Sequence, residues 1–306
     1  MERKKYPLWL DPVRKQIIWG GRKLINDYGI PFDGDKLAEA WALTVHPEGD
    51  NIILNGEYPG TTLGEYLGVS ADSSKFGVMI KLIDACDKLS IQVHPVKTEM
   101  WYIVDAEPGA TLVYGLRDKF DEAAFRAALE NGTVEELLNY VPVKPGDVFF
   151  IPQGLVHAIG AGILIAEIQQ NSNVTYRVYD YNRRQKDGSL RQLHVDEAMG
   201  VIKDFTPDQI EALRYSVPCK SGEGLLASCD LFRVNKYNVA GTLDYTSASD
   251  CGRGEYAHVL CLSGNGSLTA FGTTEPLAPG YSYFVPAGYG TLKIEGNAEV
   301  IITAAI

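Results

Sequence analysis

The chain has 306 residues, 45% of them hydrophobic, so it is long enough for one large domain or two ordinary domains with real cores. Its formal net charge of -11 argues against broad electrostatic binding to nucleic acid or to an anionic membrane surface. A phosphorylated substrate would therefore have to be held by a few local lysine and arginine side chains.

The N-terminal residues start basic but lack the apolar core of a signal peptide, and no run of about 18 apolar residues occurs in the chain. The chain also has five scattered cysteines that form no closely spaced pair: Cys86, Cys219, Cys229, Cys251 and Cys261. We therefore expect a cytoplasmic protein with reduced thiols.

Short β-branched and aromatic runs, bounded by turn residues, dominate the chain. Examples in chain order are VMIKLID, KLSIQVH, EMWYIVD, TLVYGL, DVFFIP, ILIAEIQ and NVTYRVYD. This pattern predicts a mainly antiparallel β protein.

Helical signals are confined to two places. Residues near 121–141 predict a small helical insertion, in which Thr133 and Glu136 are expected to form a capping box. Further on, Thr206 is the expected N-cap and Pro207 the first residue of a helix that connects two halves.

An internal repeat indicates how the halves are built. The segments KPGDVFFIPQGLVH (144–157) and APGYSYFVPAGYGT (278–291) align without a gap, and each reads as a turn, an apolar strand and a Pro-x-Gly turn. The pattern predicts tandem jelly-roll barrels of the cupin type: a metal-binding barrel in residues 1–200, and in residues 201–306 the helical connector with a degenerate barrel. His157 of the first copy is Thr291 in the second, whose half has His258 as its one histidine, so we expect metal chemistry in the first barrel.

Candidate metal ligands cluster in the first barrel. The strand period of two puts Ser90, Gln92 and His94 on one face. A tight hairpin after His94 would bring Glu99 beside its imidazole, and His157 follows the Pro-x-Gly turn. Two nitrogens and two oxygens suit zinc or a similar divalent ion. The alternative is that these are barrel-interior polar groups with satisfied hydrogen bonds.

Charged residues interrupt three apolar strands. Lys81 lies within Val78–Ile83 and Glu167 follows Ile163–Ala166. Arg177 is flanked by Tyr176 and Val178. A buried charge without a partner costs several kcal/mol, so each side chain reaches solvent, a partner or a polar cavity. A solvated edge lysine and a purely structural Glu167–Arg177 pair are the alternatives. Arg183, Arg184 and Lys186 read by default as a solvated loop.

The motifs LSIQVHP, KTEMWY, FFIPQGLVHAI and QNSNVTYRVYDYNR, with PVRKQIIWGG and EAWALTVHPEGD nearer the N-terminus, resemble the short bacterial form of type I mannose-6-phosphate isomerase. The resemblance implies one zinc ion per chain, bound by Gln92, His94, Glu99 and His157. It also implies a catalytic pocket lined by Lys81, Lys97, Glu167 and Arg177, with Ser90 and Arg183 near the substrate phosphate.

Members of that family interconvert mannose 6-phosphate and fructose 6-phosphate by moving a proton between C1 and C2 through an enediol. Three groups could act as the base: Glu167, a metal-bound hydroxide or a lysine of depressed pKa. We favour Glu167 acting with Arg177. One departure from the family pattern is the short link His94-Pro95-Val96-Lys97, where relatives commonly carry a longer loop. This link predicts a more open pocket and puts the substrate range in question.

The expected partner is a small hexose phosphate, with no nucleic acid or membrane, and the chain is expected to be a monomer or a homodimer. The sequence is also compatible with two other functions. An iron-dependent cupin oxygenase would ordinarily use two histidines and a carboxylate, and Gln92 argues against it. A non-catalytic sugar-phosphate-binding cupin is the other.

Overall fold

A computed structural model describes residues 3–71, 76–185, 187–216, 224–246 and 256–305. The strands are β1 Leu8–Asp11, β2 Val13–Lys15, β3 Glu39–Leu43, β4 Val45–His46, β5 Gly49–Asp50, β6 Ile52–Ile53, β7 Val78–Ala85, β8 Ile91–Val93, β9 Glu99–Ala106, β10 Thr111–Leu116, β11 Leu138–Pro142, β12 Asp147–Ile151, β13 His157–Ile159, β14 Ile163–Gln170, β15 Tyr176–Tyr179, β16 Arg214–Ser216, β17 Gly224–Ser228, β18 Phe232–Thr246, β19 Ala257–Ala270, β20 Thr273–Leu277, β21 Ser282–Val285 and β22 Thr291–Ala305. The helices are α1 Lys23–Asn26, α2 Leu63–Leu67, α3 Glu122–Asn131, α4 Val195–Met199 and α5 Pro207–Ala212, with a 3-10 helix at Val134–Leu137.

Two antiparallel sheets form the first barrel. One has the strand order β16-β12-β9-β14-β7-β3-β2 and the other the order β11-β10-β13-β8-β15. Their facing side chains, among them Trp101, Ile165 and Tyr114, form one core between the sheets. The far side of the second sheet is covered by α3 and α4, whose Phe125 and Met199 pack against it.

The larger sheet of this barrel is buried on both faces. Along β7, Val78, Ile80 and Leu82 pack toward the second half of the molecule, whereas Lys81 and Ile83 face the barrel interior. This two-sided burial explains why the strand reads as a continuous apolar run rather than as an alternation. It also places Lys81 inside the barrel instead of in solvent.

A second barrel is built on the sheet order β17-β18-β22-β19-β21-β1-β6, with β20 paired to β19. Its interior is a separate apolar core that includes Val259, Tyr283 and Ile302. The predicted tandem arrangement of all-β barrels is confirmed. Pairing nevertheless crosses residue 200 in both directions, because β1 pairs with β21 and β16 pairs with β12.

The two repeat segments have the same backbone. Gly146 and Gly280 have φ of 94° and 80°, and Gly154 and Gly288 have φ of 84° and 88°, a region that favours glycine. The N–H of Gly146 donates to Ile103 at 2.9 Å, and the N–H of Gly280 donates to Cys261 at 2.9 Å. The repeat is therefore a structural one, with each copy leading into a strand that begins at His157 or Thr291.

Helices are present in both predicted places, but the first is helical only as far as Leu137, because residues 138–142 form β11, and one of the predicted caps is wrong. Thr206 accepts from Gln209 N, which reciprocates with its side chain, and Pro207 opens α5, as predicted. Thr133 makes no side-chain cap, because its N–H ends α3 by donating to Ala128 O at 2.8 Å after the left-handed Gly132. Only a 3-10 turn fits between that point and β11.

Three cysteines lie in the described ranges, and all are free thiols, as predicted: Cys86, Cys229 and Cys261. Cys219, Cys251 and Lys186 lie outside the described residues. In the part of the chain that the structure describes, no helix is both long and apolar enough to cross a membrane.

Candidate metal centre and active-site cavity

Three strands bring the predicted metal ligands together at one end of the first barrel. His94 follows β8, Glu99 begins β9 and His157 begins β13. His94 Nε2 lies 3.7 Å from Glu99 Oε2, and His157 Nε2 lies 3.4 Å from Glu99 Oε1. Ligands about 2.1 Å from a tetrahedral ion are roughly 3.4 Å apart, so this spacing fits zinc.

The link from His94 to Glu99 differs from the predicted hairpin. β8 and β9 belong to different sheets, so residues 95–98 cross from one sheet of the barrel to the other. The carboxylate still reaches the imidazole because the two sheets face each other across the barrel interior. His94 and Glu99 therefore lie close together because the two sheets pack face to face, and not because their strands pair.

Both imidazoles are oriented by the backbone. His94 Nδ1 lies 2.9 Å from Val174 O, and His157 Nδ1 lies 2.8 Å from Leu155 O, so each Nδ1–H donates and leaves a lone pair on Nε2. His94 Nε2 and Glu99 Oε1 are buried without a hydrogen-bond donor, whereas Glu99 Oε2 has the Lys97 ammonium 2.7 Å away. Buried acceptors of this kind rarely stay unpaired. The residues present therefore fit a bound cation.

Gln92 completes the set from the centre of β8. Its amide lies 3.3 Å from His157 Nε2, with the NH2 group facing the imidazole. Rotating the amide by 180° exchanges its nitrogen and oxygen at little structural cost, and would present the carbonyl oxygen to a metal. Gln92 can thus supply the second oxygen ligand.

The electrostatics also favour a metal. Burial lowers the pKa of His94 well below its ordinary range and also lowers the pKa of His157. Burial alone would raise the pKa of Glu99, but the Lys97 ammonium, 2.7 Å away, and His157 lower it. Neutral imidazoles and an ionised carboxylate are the forms that bind metals.

A cavity of about 420 Å³ opens beside these ligands, a size typical of small-molecule sites. Predicted site residues in its lining are Lys81, Ser90, Gln92, Lys97, Glu167 and Arg177. Cations that sequence reasoning missed are Arg14, Lys15 and Arg191. Arg14 and Lys15 lie on β2, a strand too short to show a pattern.

Lys81 is the centre of a buried charge network. Its ammonium lies 3.4 Å from Glu167 Oε1 and 3.6 Å from Glu39 Oε2. Burial alone would lower the pKa of Lys81, but the two carboxylates raise it above its ordinary value. Trp101 and Trp41 donate their indole N–H groups to Glu167 and Glu39, at 2.9 and 2.6 Å.

Glu39 was not predicted as a site residue, although the same signal marks it. It is a charged residue at the start of the otherwise apolar strand β3, as Lys81 is within β7. The alternative of a structural Glu167–Arg177 pair is not realised, because Glu167 binds Lys81 while Arg177 donates to Ser90 Oγ at 3.2 Å and to Gln192 O at 2.9 Å. Both residues nevertheless face the same cavity.

Arg183 is held away from the cavity. Its guanidinium donates to the Asp180 carboxylate at 2.5 Å and to the carbonyl of Lys88. It does not appear among the described residues that line the cavity, whereas Arg191, eight positions on, does. The predicted phosphate contact by Arg183 has no support from this geometry.

At two of the four ligand positions the second barrel carries residues that do not bind metal. Ile151 pairs with Glu99 in the first barrel, and the repeat-related Val285 pairs with Ala257 in the second. Ala257 and Thr291 thus replace Glu99 and His157. His258 faces the first barrel instead, and its Nε2 lies 2.7 Å from Ser282 Oγ.

Two family models match the chain. Residues 8–112 match the catalytic domain of type I phosphomannose isomerase, and residues 223–305 match the cupin domain of mannose-6-phosphate isomerase. The mannose-6-phosphate isomerase ManA of Bacillus subtilis (strain 168) is 36% identical over 97% of this chain and 98% of its own length. The mannose-6-phosphate isomerase of Streptococcus mutans is 33% identical over 96% of this chain and 97% of its own.

Solved structures agree with the fold. The crystal structure of the mannose 6-phosphate isomerase from Bacillus subtilis superposes with a TM-score of 0.81 at 29% identity, covering 98% of this chain and 99% of that one. A variant of the phosphomannose isomerase from Salmonella typhimurium gives a TM-score of 0.73 at 17% identity, covering 99% of this chain and 100% of that one. The second similarity supports the fold alone.

Proposed function

Because this chain belongs to the type I phosphomannose isomerases, an aldose–ketose isomerase family, we propose that it interconverts mannose 6-phosphate and fructose 6-phosphate with one bound zinc ion. The charge of the cavity is the observation that carries this proposal. In a chain of net charge -11, six basic side chains line the cavity against three glutamates: Arg14, Lys15, Lys81, Lys97, Arg177 and Arg191 against Glu39, Glu48 and Glu167. This local excess of positive charge is what a sugar phosphate requires.

The proposed zinc ligands are Gln92, His94, Glu99 and His157. Three of them offer buried, correctly spaced donor atoms, and a mixed nitrogen and oxygen set suits zinc better than magnesium or copper. When bound, zinc would polarise the substrate oxygens on C1 and C2. Lys97 holds Glu99 in place by an ion pair and donates to Gln169 Oε1 at 3.0 Å.

Glu167 is the proposed base. In the direction from mannose 6-phosphate, it takes the proton from C2 while the C1 carbonyl oxygen gains a proton, which gives the enediol. The O2 hydroxyl then loses its proton, and Glu167 returns a proton to C1, which leaves the ketose. Lys81 is disfavoured as the base because its raised pKa keeps it protonated. Its ammonium instead holds the Glu167 carboxylate in place by an ion pair at 3.4 Å.

We assign to Arg177 the role of stabilising the negative charge that develops on the substrate oxygens during the reaction. Ser90 and the Gln192 carbonyl fix its guanidinium at the cavity wall, where it is preorganised to stabilise an oxyanion. Arg177 and Glu167 would then act on the same substrate from different walls.

A coupled assay of mannose 6-phosphate conversion to fructose 6-phosphate tests the proposal. We expect turnover by the purified protein, loss of turnover after chelation, and recovery when zinc is returned. Absence of turnover in every metal state would leave a non-catalytic sugar-phosphate-binding cupin as the better description.

His157→Ala tests the ligand set separately from turnover. The variant removes one buried nitrogen donor while the second barrel keeps its own core, so we expect it to fold but to retain no zinc. Metal content by mass spectrometry and a circular dichroism spectrum check both parts. Unchanged metal content would refute the assigned ligands.

A further inference from the structure

Asp180 is a buried carboxylate, 5% exposed, that is shared by two arginines. Arg191 Nε donates to it at 2.7 Å and a second nitrogen of Arg191 also donates to it, which makes a two-pronged contact. Arg183 donates to it at 2.5 Å. Burial alone would raise the pKa of Asp180, but these arginines lower it.

The arginines around Asp180 carry more charge than it neutralises. Arg191 lines the active-site cavity together with Arg177 and Ser90. Burial lowers the pKa of Arg177, and the positive charge of Arg191 lowers it further. Two guanidinium groups, those of Arg177 and Arg191, line this end of the cavity, and Asp180 is hydrogen-bonded by Arg191 and by Arg183, which lies outside the cavity lining. This end of the cavity keeps an excess of positive charge.

The turn that carries Asp180 is built with an uncommon backbone. Tyr181 and Asn182 both have φ of 54°, in the left-handed region that non-glycine residues seldom adopt. Arg183 N donates to Asp180 O at 3.0 Å, and the Tyr181 ring packs against the Lys88 ammonium at 3.5 Å. Such a conformation persists only where its surroundings hold it.

We propose that Asp180 is a positioning residue: it fixes the guanidinium of Arg191 at the cavity wall, so that Arg191 binds the phosphate group of the substrate. This inference rests on the proposed function for the identity of the substrate. In this proposal Arg191 contacts the substrate phosphate, and Arg183 holds Asp180 in place by donating to its carboxylate from the other side.

Asp180→Asn separates positioning from simple charge neutralisation, because the two predict opposite signs. If Asp180 only offsets positive charge, its removal makes the site more cationic and tightens phosphate binding. If it positions Arg191, the variant loses the two-pronged contact and phosphate binding weakens by about tenfold. The probe is inorganic phosphate, measured by titration calorimetry on the zinc-loaded protein.

Turnover gives a second readout. A contact made equally to substrate and transition state raises KM without changing kcat, so we expect KM for mannose 6-phosphate to rise about tenfold with kcat nearly constant. Asp87→Asn is the matched control, since Asp87 is exposed and contacts Arg183 at 3.4 Å. We expect the phosphate affinity of Asp87→Asn to stay within about twofold of the wild-type value, because exposed ion pairs contribute little.

Arg191→Lys keeps the test valid if Asp180→Asn does not fold. It preserves the charge but cannot make the two-pronged contact, so phosphate binding should again weaken several-fold. Unchanged or tighter phosphate binding in a folded variant of either kind would overturn the proposal. Because phosphate binding is measured without turnover, a wild-type protein that binds phosphate but does not isomerise would count against the proposed function alone.

Discussion

At the scale of single residues, charged side chains inside apolar strands mark the candidate site. Lys81, Glu167 and Glu39 each face the barrel interior, and each finds its partner among the others. Trp41 donates to Glu39 and Trp101 donates to Glu167. These contacts hold the two carboxylates in fixed positions, which suits the proposed role of Glu167 as the base.

Lys81→Met tests this network. Removing the ammonium leaves Glu39 and Glu167 buried with no shared cation, so we expect the free energy of unfolding to fall by about 3–5 kcal/mol. Urea denaturation at neutral pH measures the change. Lys15→Met is the control, because Lys15 packs on the same Trp41 ring, at 4.3 Å, from the exposed side. Its loss should cost about 0.5–1 kcal/mol, and equal costs would argue against the buried network.

At the scale of elements, the first of the two repeated Pro-x-Gly turns positions a proposed metal ligand, whereas the second leads to a threonine at the equivalent position. In the first copy the N–H of Gly154 donates to His94 O at 3.0 Å, and β13 begins at His157 three residues later. One turn therefore connects two metal ligands that are 63 positions apart in sequence. In the second copy the same turn leads to Thr291 at the start of β22.

Gly154→Ala and Gly288→Ala compare the two turns. Both glycines have left-handed φ, so an alanine costs about 1–2 kcal/mol at either position. At Gly154 the added Cβ would also lie 2.7 Å from Val201 O, whereas at Gly288 it meets only Lys5 Nζ at 3.7 Å. We expect the Gly154 variant to lose about 1–3 kcal/mol more and to bind zinc more weakly. Chemical denaturation and a zinc titration check both; equal stabilities would show that the turn adapts.

At the scale of the whole molecule, the barrels share strands and buried polar contacts. β1 joins the sheet of the second barrel, and Ser282 of the second barrel donates to Ala42 O, on β3 of the first, at 2.7 Å. Ser282 therefore accepts from His258 Nε2–H, which leaves His258 Nδ1 buried without a donor. The second barrel thus supports β3, which carries Glu39 and Trp41 of the cavity.

His258 makes stability depend on pH. Burial lowers its pKa to about 3, from an ordinary value of 6.5. Between these values the unfolded chain binds the proton and the folded chain does not, so the free energy of unfolding falls as pH decreases, by about 1.4 kcal/mol per pH unit for this group. The loss begins near pH 6.5 and levels off near pH 3.

His258→Gln removes this titration and should make the decline in stability between pH 6 and pH 4 shallower by about that slope. Urea denaturation of both proteins at several pH values, with chelator present throughout so that metal release does not differ, measures the effect. Parallel pH profiles would show that His258 is not held neutral by burial.

The sequence alone determined the class of fold, the tandem repeat and the ligand faces, because these depend on local regularities. A strand period of two puts Gln92 and His94 on one face in any β structure, and the repeat needs only the alignment of two segments. The family followed from long motifs, which the comparisons confirm.

Tertiary structure decided which charged groups pair and which face the cavity. Glu167 binds Lys81 because β14 and β7 are neighbours with these residues in register, whereas Arg177 lies in the other sheet. Arg191 reaches the cavity and Arg183 does not, because Asp180 lies between them. Distances across sheets depend on packing between segments far apart in the chain, and local periodicity does not encode them.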